Sequence, residues 1–280
     1  MKQLKSAARS ALRACAATLG STRVGSVLIE SALESAMLRT QAVAHGATRL
    51  RFTVPNRLNE VRVRTFSTKE PETLQWIDSI PQGATLWDVG ANVGLYSCYA
   101  AKARGCRVIA FEPSVFNVEL LARNVALNAL SDQVTIFPLP LFQTLVESTL
   151  NMTMTTWGGA LSSFGTTLGF DGQEMSKVFE FRTIGLSMDQ CVARLGLAPP
   201  QYLKMDVDGI EHLILAGGTE TLRGVRSISI EVNDAFTAQA AECSRLLAAA
   251  GLRCVSKAHS QMIDANARFN RTFNQVWARE

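Results

Sequence analysis

Two different spacings of apolar residues divide the first 80 positions. Residues 3–19 repeat apolar side chains at helical spacing, with Lys5, Arg9 and Arg13 on the opposite face, and a second helical pattern covers residues 27–40. From Thr48 to Phe66 the period becomes two, in "RLRFTV" and "EVRVRTF" on either side of "PNRLN". These patterns predict two helices and a β-hairpin, and "EPETLQWIDSI" predicts a short helix.

From Thr85 onward, short apolar runs alternate with amphipathic segments. Strands are predicted at residues 85–90, 107–112, 134–141, 178–184, 201–209, 226–233, 252–258 and 271–280, and helices at residues 94–105, 117–130, 188–196, 210–224 and 238–251. This alternation is typical of a doubly wound α/β fold, in which helices cover both faces of a parallel sheet.

Residues 143–175 interrupt this alternation. The segment is rich in Thr, Ser, Gly and Met and has no clear period, and it is longer than an ordinary connecting loop. We therefore expect an insertion that serves as a lid or binds the acceptor. The predicted domain organisation is an N-terminal helical and hairpin segment at residues 1–69, followed by an α/β domain at residues 70–280.

Composition adds few constraints. Hydrophobic residues make up 47% of the 280 positions and the net charge is +4, so a large core is expected and no nucleic-acid partner is indicated. Residues 1–64 carry eleven Lys or Arg against three Glu. Because much of the apolar face of the first helix is alanine, packing against its own domain or a second subunit is favoured over contact with a membrane surface.

The cysteines and the hydropathy of the chain favour particular cellular compartments. No apolar run is long enough to span a bilayer, and the basic N-terminus lacks the core of a signal peptide. The six cysteines show neither a CxxC pair nor zinc spacing. They predict reduced, buried thiols in a cytoplasmic protein, with the inner membrane surface as the alternative location.

A glycine-rich loop in "ATLWDVGANVGLYS" follows the first strand of the α/β region. Its Gly90-x-x-x-Gly94 spacing differs from the dinucleotide fingerprint, and no Gly-Lys-Ser/Thr of a P-loop follows. Asp88 at the strand end disfavours a pyrophosphate, because like charges repel strongly at short range. A cationic ligand such as S-adenosylmethionine fits better, and Glu112 at the end of the next strand could accept hydrogen bonds from its ribose.

Four segments in this order resemble the FkbM family of S-adenosylmethionine-dependent methyltransferases: "LWDVGANVGLYS", "VIAFEPSVFNVELLARNVALN", "YLKMDVDGIEHLILAGG" and "FNQVW". The resemblance implies a Rossmann-like seven-stranded sheet with the last strand antiparallel, and an O-methyltransferase. It also implies cofactor contacts, with Asp88, Gly90, Asn92 and Gly94 at the methionine end, Glu112 at the ribose, and Ser114 and Asn117 beside it. The family commonly has Glu where this chain has Asp208.

The acids of "LKMDVDGIEH" are the candidates for the chemistry. Removal of the hydroxyl proton during methyl transfer calls for a general base. We expect Asp206 to be an active-site acid, with Asp208 and Glu211 as base or acceptor-orienting groups, although Glu211 also suits a helix N-terminus. Glu231 at the end of the fifth strand of the core is a further candidate. No spacing demands a metal, so none is predicted.

The favoured function is methylation of a hydroxyl on a saccharide, as part of a surface glycan or a lipid-linked sugar. Methylation of a small natural product is the alternative within the same class. A nicotinamide-dependent oxidoreductase is disfavoured by the glycine spacing, and a cofactor-binding partner protein without catalysis stays open. The N-terminal helices also allow a homodimer or a peripheral membrane contact.

Overall fold

A seven-stranded sheet forms the centre of the molecule. The computed structural model describes residues 2–259 and 269–279, and for residues 2–6, 8 and 9 it describes the backbone alone. The strands are β1 (Thr40–His45), β2 (Thr48–Thr53), β3 (Thr85–Val89), β4 (Arg107–Phe111), β5 (Val134–Phe137), β6 (Val146–Met152), β7 (Ser162–Phe164), β8 (Phe179–Gly185), β9 (Tyr202–Met205), β10 (Ser227–Asn233), β11 (Arg253–Ala258) and β12 (Thr272–Ala278). The helices are α1 (Lys2–Gly20), α2 (Arg23–Leu38), α3 (Arg57–Arg64), α4 (Phe66–Lys69), α5 (Pro71–Ser79), α6 (Leu95–Arg104), α7 (Val115–Leu127), α8 (Met188–Leu195), α9 (Glu211–Ala216), α10 (Thr219–Gly224) and α11 (Thr237–Ala249).

The central sheet has the strand order β11-β12-β10-β9-β3-β4-β5. Strands β10, β9, β3, β4 and β5 are parallel to one another, whereas β12 runs antiparallel to both β10 and β11. The predicted α/β class and the antiparallel last strand are thus confirmed. The carboxyl ends of β3, β4, β9 and β10 meet at one edge, where open α/β sheets bind ligands.

Strand alternation divides the core into two apolar clusters, one on each face of the sheet. On β3, Leu86 packs with the cluster that includes α5, α6 and the N-terminal hairpin, whereas Trp87 and Val89 pack with the cluster on the other face. Successive side chains of a strand point to opposite faces, so Asp88 must share the face of Leu86.

The N-terminal hairpin is shifted from its predicted position. It pairs β1 with β2, from Thr40 opposite Thr53 to His45 opposite Thr48, and "RLNEVRVR" forms helix α3 instead of a strand. The side chain of Asn56 accepts a hydrogen bond from the backbone N–H of Asn59 and so caps α3. The prediction was wrong because Val61 and Val63 alternate locally, although the buried Asn59, Val63 and Phe66 lie at the spacing of one helical face.

Helices α1 and α2 form a pair with extensive apolar exposure. Large side chains on both helices are more than half exposed, among them Leu12, Leu19, Val24, Leu28 and Leu33. Packing of these side chains on their own domain is therefore not seen, and contact with a second subunit or a membrane surface stays a prediction. None of the helices in the described part of the chain has the length and apolarity that crossing a membrane requires.

The segment at residues 143–175 is more regular than its composition predicts. It contains β6 and β7, which join β8 in a three-stranded antiparallel sheet of order β7-β6-β8. Buried residues of this small sheet, including Leu150 and Phe164, pack into the same apolar cluster as Val89 and Phe111 of the central sheet. Its role as a lid stays a prediction.

Two smaller expectations were also wrong in part. The single helix predicted at residues 210–224 is broken into α9 and α10 at Gly217 and Gly218. A Cβ atom on Gly217 would lie 2.5 Å from the backbone oxygen of Phe142, so the close approach of two chain segments requires glycine there. Cys15 and Cys254 are exposed, whereas the other four cysteines are buried as expected.

Candidate active site at the carboxyl edge of the sheet

The loop after β3 is held in a conformation that requires glycine. Gly90 has a φ of +82°, and a Cβ atom on it would lie 1.9 Å from the backbone oxygen of Asp206. The backbone N–H groups of Gly90 and Ala91 donate to the Phe111 carbonyl at 2.9 and 3.0 Å. The loop is therefore anchored to both neighbouring strands, and it forms one wall of a cavity.

Gly94 has a different role from Gly90. It precedes α6 with a φ of +80°, and a Cβ atom there would meet Leu121 of α7 at 2.3 Å. Gly94 does not line the cavity. Gly94 thus permits close packing of α6 and α7. This packing is a structural reason for a glycine that was predicted from the sequence to contact the cofactor.

A cavity of about 70 Å³ opens at the carboxyl ends of β3, β4 and β9. One part is apolar and is lined by residues that the sequence analysis did not single out, namely Phe111, Leu139, Leu141, Leu150, Phe164, Ile210 and Ile214. The "PLPL" run after β5 and the insertion contribute most of them, and only the length of the insertion signalled a functional contribution.

Glu112 is the most heavily hydrogen-bonded acid in the cavity wall. Its carboxylate accepts the backbone N–H groups of Asn92 at 2.7 Å and Ser114 at 2.8 Å, and the Asn117 side chain at 3.5 Å. Burial raises the pKa of Glu112 to about 7, the charge of Asp208 adds to that shift, and the three donors partly offset it. Near neutral pH, the Glu112 carboxyl group is therefore balanced between a protonated form, which burial favours, and an ionised form, which the hydrogen-bond donors favour.

Asp88 lies behind the cavity wall rather than in it. It is 1% exposed, accepts a hydrogen bond from the Ser97 hydroxyl at 2.5 Å, and lies 3.6 Å from the Lys204 ammonium group. Lys204 also lies 3.5 Å from Asp206. Burial lowers the pKa of Lys204, but the Asp88 and Asp206 carboxylates outweigh burial, and the pKa lies well above its usual range. The ammonium group therefore stays charged between two acids.

Three further carboxylates converge at the mouth of the cavity. One carboxylate oxygen from each of Asp206, Asp208 and Glu231 lies within 4.8 Å of the others. Burial raises the pKa of Asp208 to about 7, with the Asp206 charge as the next cause, and burial also raises the pKa of Glu231 well above its usual range. Such oxygens suit Mg²⁺, but they equally suit a proton acceptor, and the expectation of no metal stays a prediction.

Glu211 is turned away from the cavity. It is 2% exposed and accepts hydrogen bonds from the backbone N–H groups of Gly209 and Val207 and from the side chain of Gln239. Burial raises its pKa to about 8. This arrangement stabilises the turn after β9. The neighbouring His212 is half-buried against Phe236, and burial lowers its pKa.

The structure thus divides the predicted site residues into two groups. Those that line the cavity are Gly90, Asn92, Glu112, Asn117, Asp206 and Asp208, and those outside its wall are Asp88, Gly94, Ser114, Glu211 and Glu231. Of the second group, Glu231 adjoins the acids at the mouth, and Ser114 contributes its backbone N–H to Glu112. The roles of all of them stay predictions.

The sequence profile of the methyltransferase FkbM domain matches residues 88–262. The chain belongs to this family. It is accordingly an S-adenosylmethionine-dependent methyltransferase, and the recognised resemblance is confirmed. The match begins at Asp88 and spans every predicted site residue of the α/β domain.

One relative and two solved structures illustrate the proteins to which this chain is similar. The hexuronic acid methyltransferase AglP of Haloferax volcanii is 25% identical over 204 residues, covering 72% of this chain and 78% of AglP. The precorrin-6y C5,15-methyltransferase of Geobacter metallireducens has a TM-score of 0.41 at 12% identity, covering 75% of this chain and 86% of the other. The ribosomal protein L11 methylase of Lactobacillus delbrueckii subsp. bulgaricus has a TM-score of 0.44 at 11% identity, covering 76% and 79%. TM-scores of this size carry no argument about substrate.

Proposed function

We propose that this methyltransferase transfers the methyl group of S-adenosylmethionine to a hydroxyl group of a saccharide. The observation that carries the proposal is family membership together with a cavity whose wall combines Glu112, the Gly90 loop and a cluster of acids at the mouth. Similarity to AglP, whose name states that it methylates a hexuronic acid, supports a sugar acceptor.

The cavity suits the cofactor in two parts. The ionised Glu112 carboxylate offers acceptors for the two ribose hydroxyls, since hydroxyls donate readily to a carboxylate. The apolar part between Phe111, Leu141 and Ile214 suits the adenine ring. The methionine end then extends along the Gly90 loop toward Asp206. The backbone of Asp206 lies so close to Gly90 that no side chain fits at position 90.

The acids at the mouth suit the acceptor hydroxyl. Methyl transfer from a sulfonium is an in-line displacement, so the protein must align the acceptor oxygen and accept its proton. Asp206 is about one-third exposed and is held by Lys204 from behind, so its carboxylate faces the site in a fixed position. Burial and the charge of Asp206 raise the pKa values of Asp208 and Glu231, so the cluster disfavours a further negative charge, and a neutral hydroxyl suits it better than an anionic group as the acceptor.

The test combines labelled methyl transfer with alkaline treatment of the product. Purified protein is incubated with methyl-labelled S-adenosylmethionine and with separated glycan, glycolipid and small-metabolite fractions of a host extract lacking this protein. The proposal predicts label in a saccharide fraction that survives dilute alkali, because a methyl ether is stable to base. Label released as methanol would instead show a methyl ester on a uronic acid carboxylate.

The remaining outcomes address the alternatives. Label in the small-metabolite fraction alone would support methylation of a natural product. Binding of S-adenosylmethionine without transfer to any fraction would support a partner protein that binds the cofactor and does not catalyse.

A further inference from the structure

A segment of the insertion, residues 157–162, crosses the cavity; we name it the strap. Gly159, Ala160 and Ser162 of the strap line the cavity. The carbonyl of Gly159 accepts hydrogen bonds from the side chains of Asn92 at 2.8 Å and Asn117 at 3.0 Å. The strap is therefore bonded to side chains that also form the wall of the proposed cofactor site.

A second set of bonds joins the strap to the acids at the mouth and to α7. The backbone N–H of Leu161 donates to Asp208 at 2.7 Å, and the backbone N–H of Gly158 donates to Asn117 at 3.0 Å. The indole N–H of Trp157 donates to Glu119 of α7 at 3.1 Å. These contacts fix the inner side of the strap.

The outer side of the strap is held by helix α3 of the N-terminal segment. The side chains of Asn56 and Asn59 both donate to the Trp157 carbonyl, at 3.0 and 2.8 Å. The guanidinium of Arg62 donates twice to the Gly158 carbonyl, from Nε at 3.0 Å and Nη2 at 2.7 Å. Hydrogen bonds from a charged donor are stronger than those between neutral groups.

Helix α3 and the strap pack in close contact. Gly158 has a φ of +81°, and a Cβ atom on it would lie 2.5 Å from the side-chain oxygen of Asn59. Asn59 is itself 1% exposed. Two segments about 100 residues apart in the chain thus contact each other through backbone and buried amide atoms, which restricts the strap to one position against the cavity.

We propose that Arg62, with Asn59, is a positioning residue for the cofactor, acting through the strap rather than by contact with the ligand. This inference rests on the proposed cofactor site. In this arrangement α3, which precedes the family domain in the sequence, closes the cavity of that domain. Loss of Arg62 releases the Gly158 carbonyl, and the strap no longer holds Asn92 and Asn117 at the cavity wall.

The test measures binding of S-adenosylhomocysteine, the demethylated product of the cofactor, by calorimetry. Arg62→Met keeps the apolar stem and removes the donors, whereas Arg62→Lys removes the paired donors but keeps the positive charge, which lowers the pKa of Asp208. Arg64→Met is the matched control, because Arg64 is exposed on the same helix and carries the same charge. We expect about tenfold weaker binding in Arg62→Met, a loss of about 1.4 kcal/mol, an intermediate loss in Arg62→Lys, and no change in Arg64→Met.

A second measurement reports on the strap without any ligand. Chymotrypsin cleaves after Trp157, and mass spectrometry identifies that cut. We expect faster cleavage at this bond in Arg62→Met than in Arg64→Met, with equal melting temperatures confirming that both variants are folded.

The outcomes separate this inference from the proposed function. Equal affinities and equal cleavage rates in Arg62→Met and Arg64→Met would overturn the positioning role while leaving the cofactor site intact. Tighter binding in Arg62→Met would also overturn it, because the strap would then compete with the cofactor. Absence of binding in the unsubstituted protein would contradict both the cofactor site and the inference.

Discussion

Two neighbouring strands of the sheet each end near a carboxylate, and the two carboxylates have different surroundings. Glu112 follows β4, lines the cavity and is held by neutral N–H donors. Asp88 lies within β3, behind the cavity wall, and is paired with Lys204 and Ser97. The difference shows that a position at the carboxyl edge does not by itself make a residue part of the site, because the face of the strand decides which environment it enters.

The same division extends to the acids near β9. Asp206 and Asp208 line the cavity, whereas Glu211 is enclosed by backbone N–H groups of its own turn. We therefore expect substitutions of cavity acids to change catalysis or binding, and substitutions of enclosed acids to change stability. The following predictions test this division in order of expected effect.

The largest effect is expected for Asp206→Asn. If Asp206 accepts the proton of the hydroxyl, its loss lowers kcat by about 10² to 10⁴, the usual contribution of a general base. Steady-state kinetics with the identified acceptor measures this change, and cofactor affinity serves as the control for an intact site. An unchanged kcat would contradict the assignment of Asp206.

The next effect is expected for Glu112→Ala. Loss of hydrogen bonds from two ribose hydroxyls to a carboxylate, at about 1.5 kcal/mol each, weakens binding of S-adenosylhomocysteine roughly 100-fold. Calorimetry measures the affinity. Asp88→Asn is the matched comparison, and we expect its affinity to change much less; an equal loss in both variants would place Asp88 in the cofactor site after all.

Asp88 and Lys204 are expected to act mainly on stability. Lys204→Met leaves Asp88 buried without its cation, and breaking a buried ion pair costs about 3 kcal/mol or more of unfolding free energy. The double variant Asp88→Asn with Lys204→Met removes both charges and should recover about half of that loss or more. Urea unfolding measures both. A double variant as unstable as the sum of the two single variants would show that the pair is not coupled.

The smallest effect is a pH dependence of cofactor binding. Since burial raises the pKa of Glu112 to about 7, the carboxylate becomes ionised as pH rises through neutrality, and affinity for S-adenosylhomocysteine should rise between pH 6 and 8. The increase is at most about tenfold per pH unit below the pKa. Calorimetry of Glu112→Gln should show a flatter profile, and an identical profile would exclude Glu112 as the cause.

The raised pKa values also predict how the free energy of unfolding changes with pH, and this change is measured as a control for the binding experiment. Burial raises the pKa values of Glu112, Asp208 and Glu211 in the folded protein above their ordinary values. The folded state therefore binds protons more tightly than the unfolded state, and the free energy of unfolding falls as pH rises from about 4.5 through 8. Increased affinity at higher pH would thus arise despite lower stability.

Much of the fold was predictable because local patterns and long-range contacts agreed there. The helices after Gly94 and Ser114 begin within two residues of their predicted starts, and β4 ends one residue before its predicted end. The hairpin was misplaced because "EVRVRTF" contains both a two-residue and a helical repeat. The Asn56 cap and burial of Asn59 under the strap select the helix, and neither contact is visible from local periodicity.

The sequence by itself determined the family, the strand and helix order of the α/β domain, and the Glu112 and Gly90 positions at its carboxyl edge, because these depend on residue type and spacing over short stretches. Only the tertiary structure decided that Asp88 faces Lys204, that Glu211 closes a turn, and that Arg62 reaches the strap. These depend on contacts between distant segments, whose geometry is set by how helices and strands pack together.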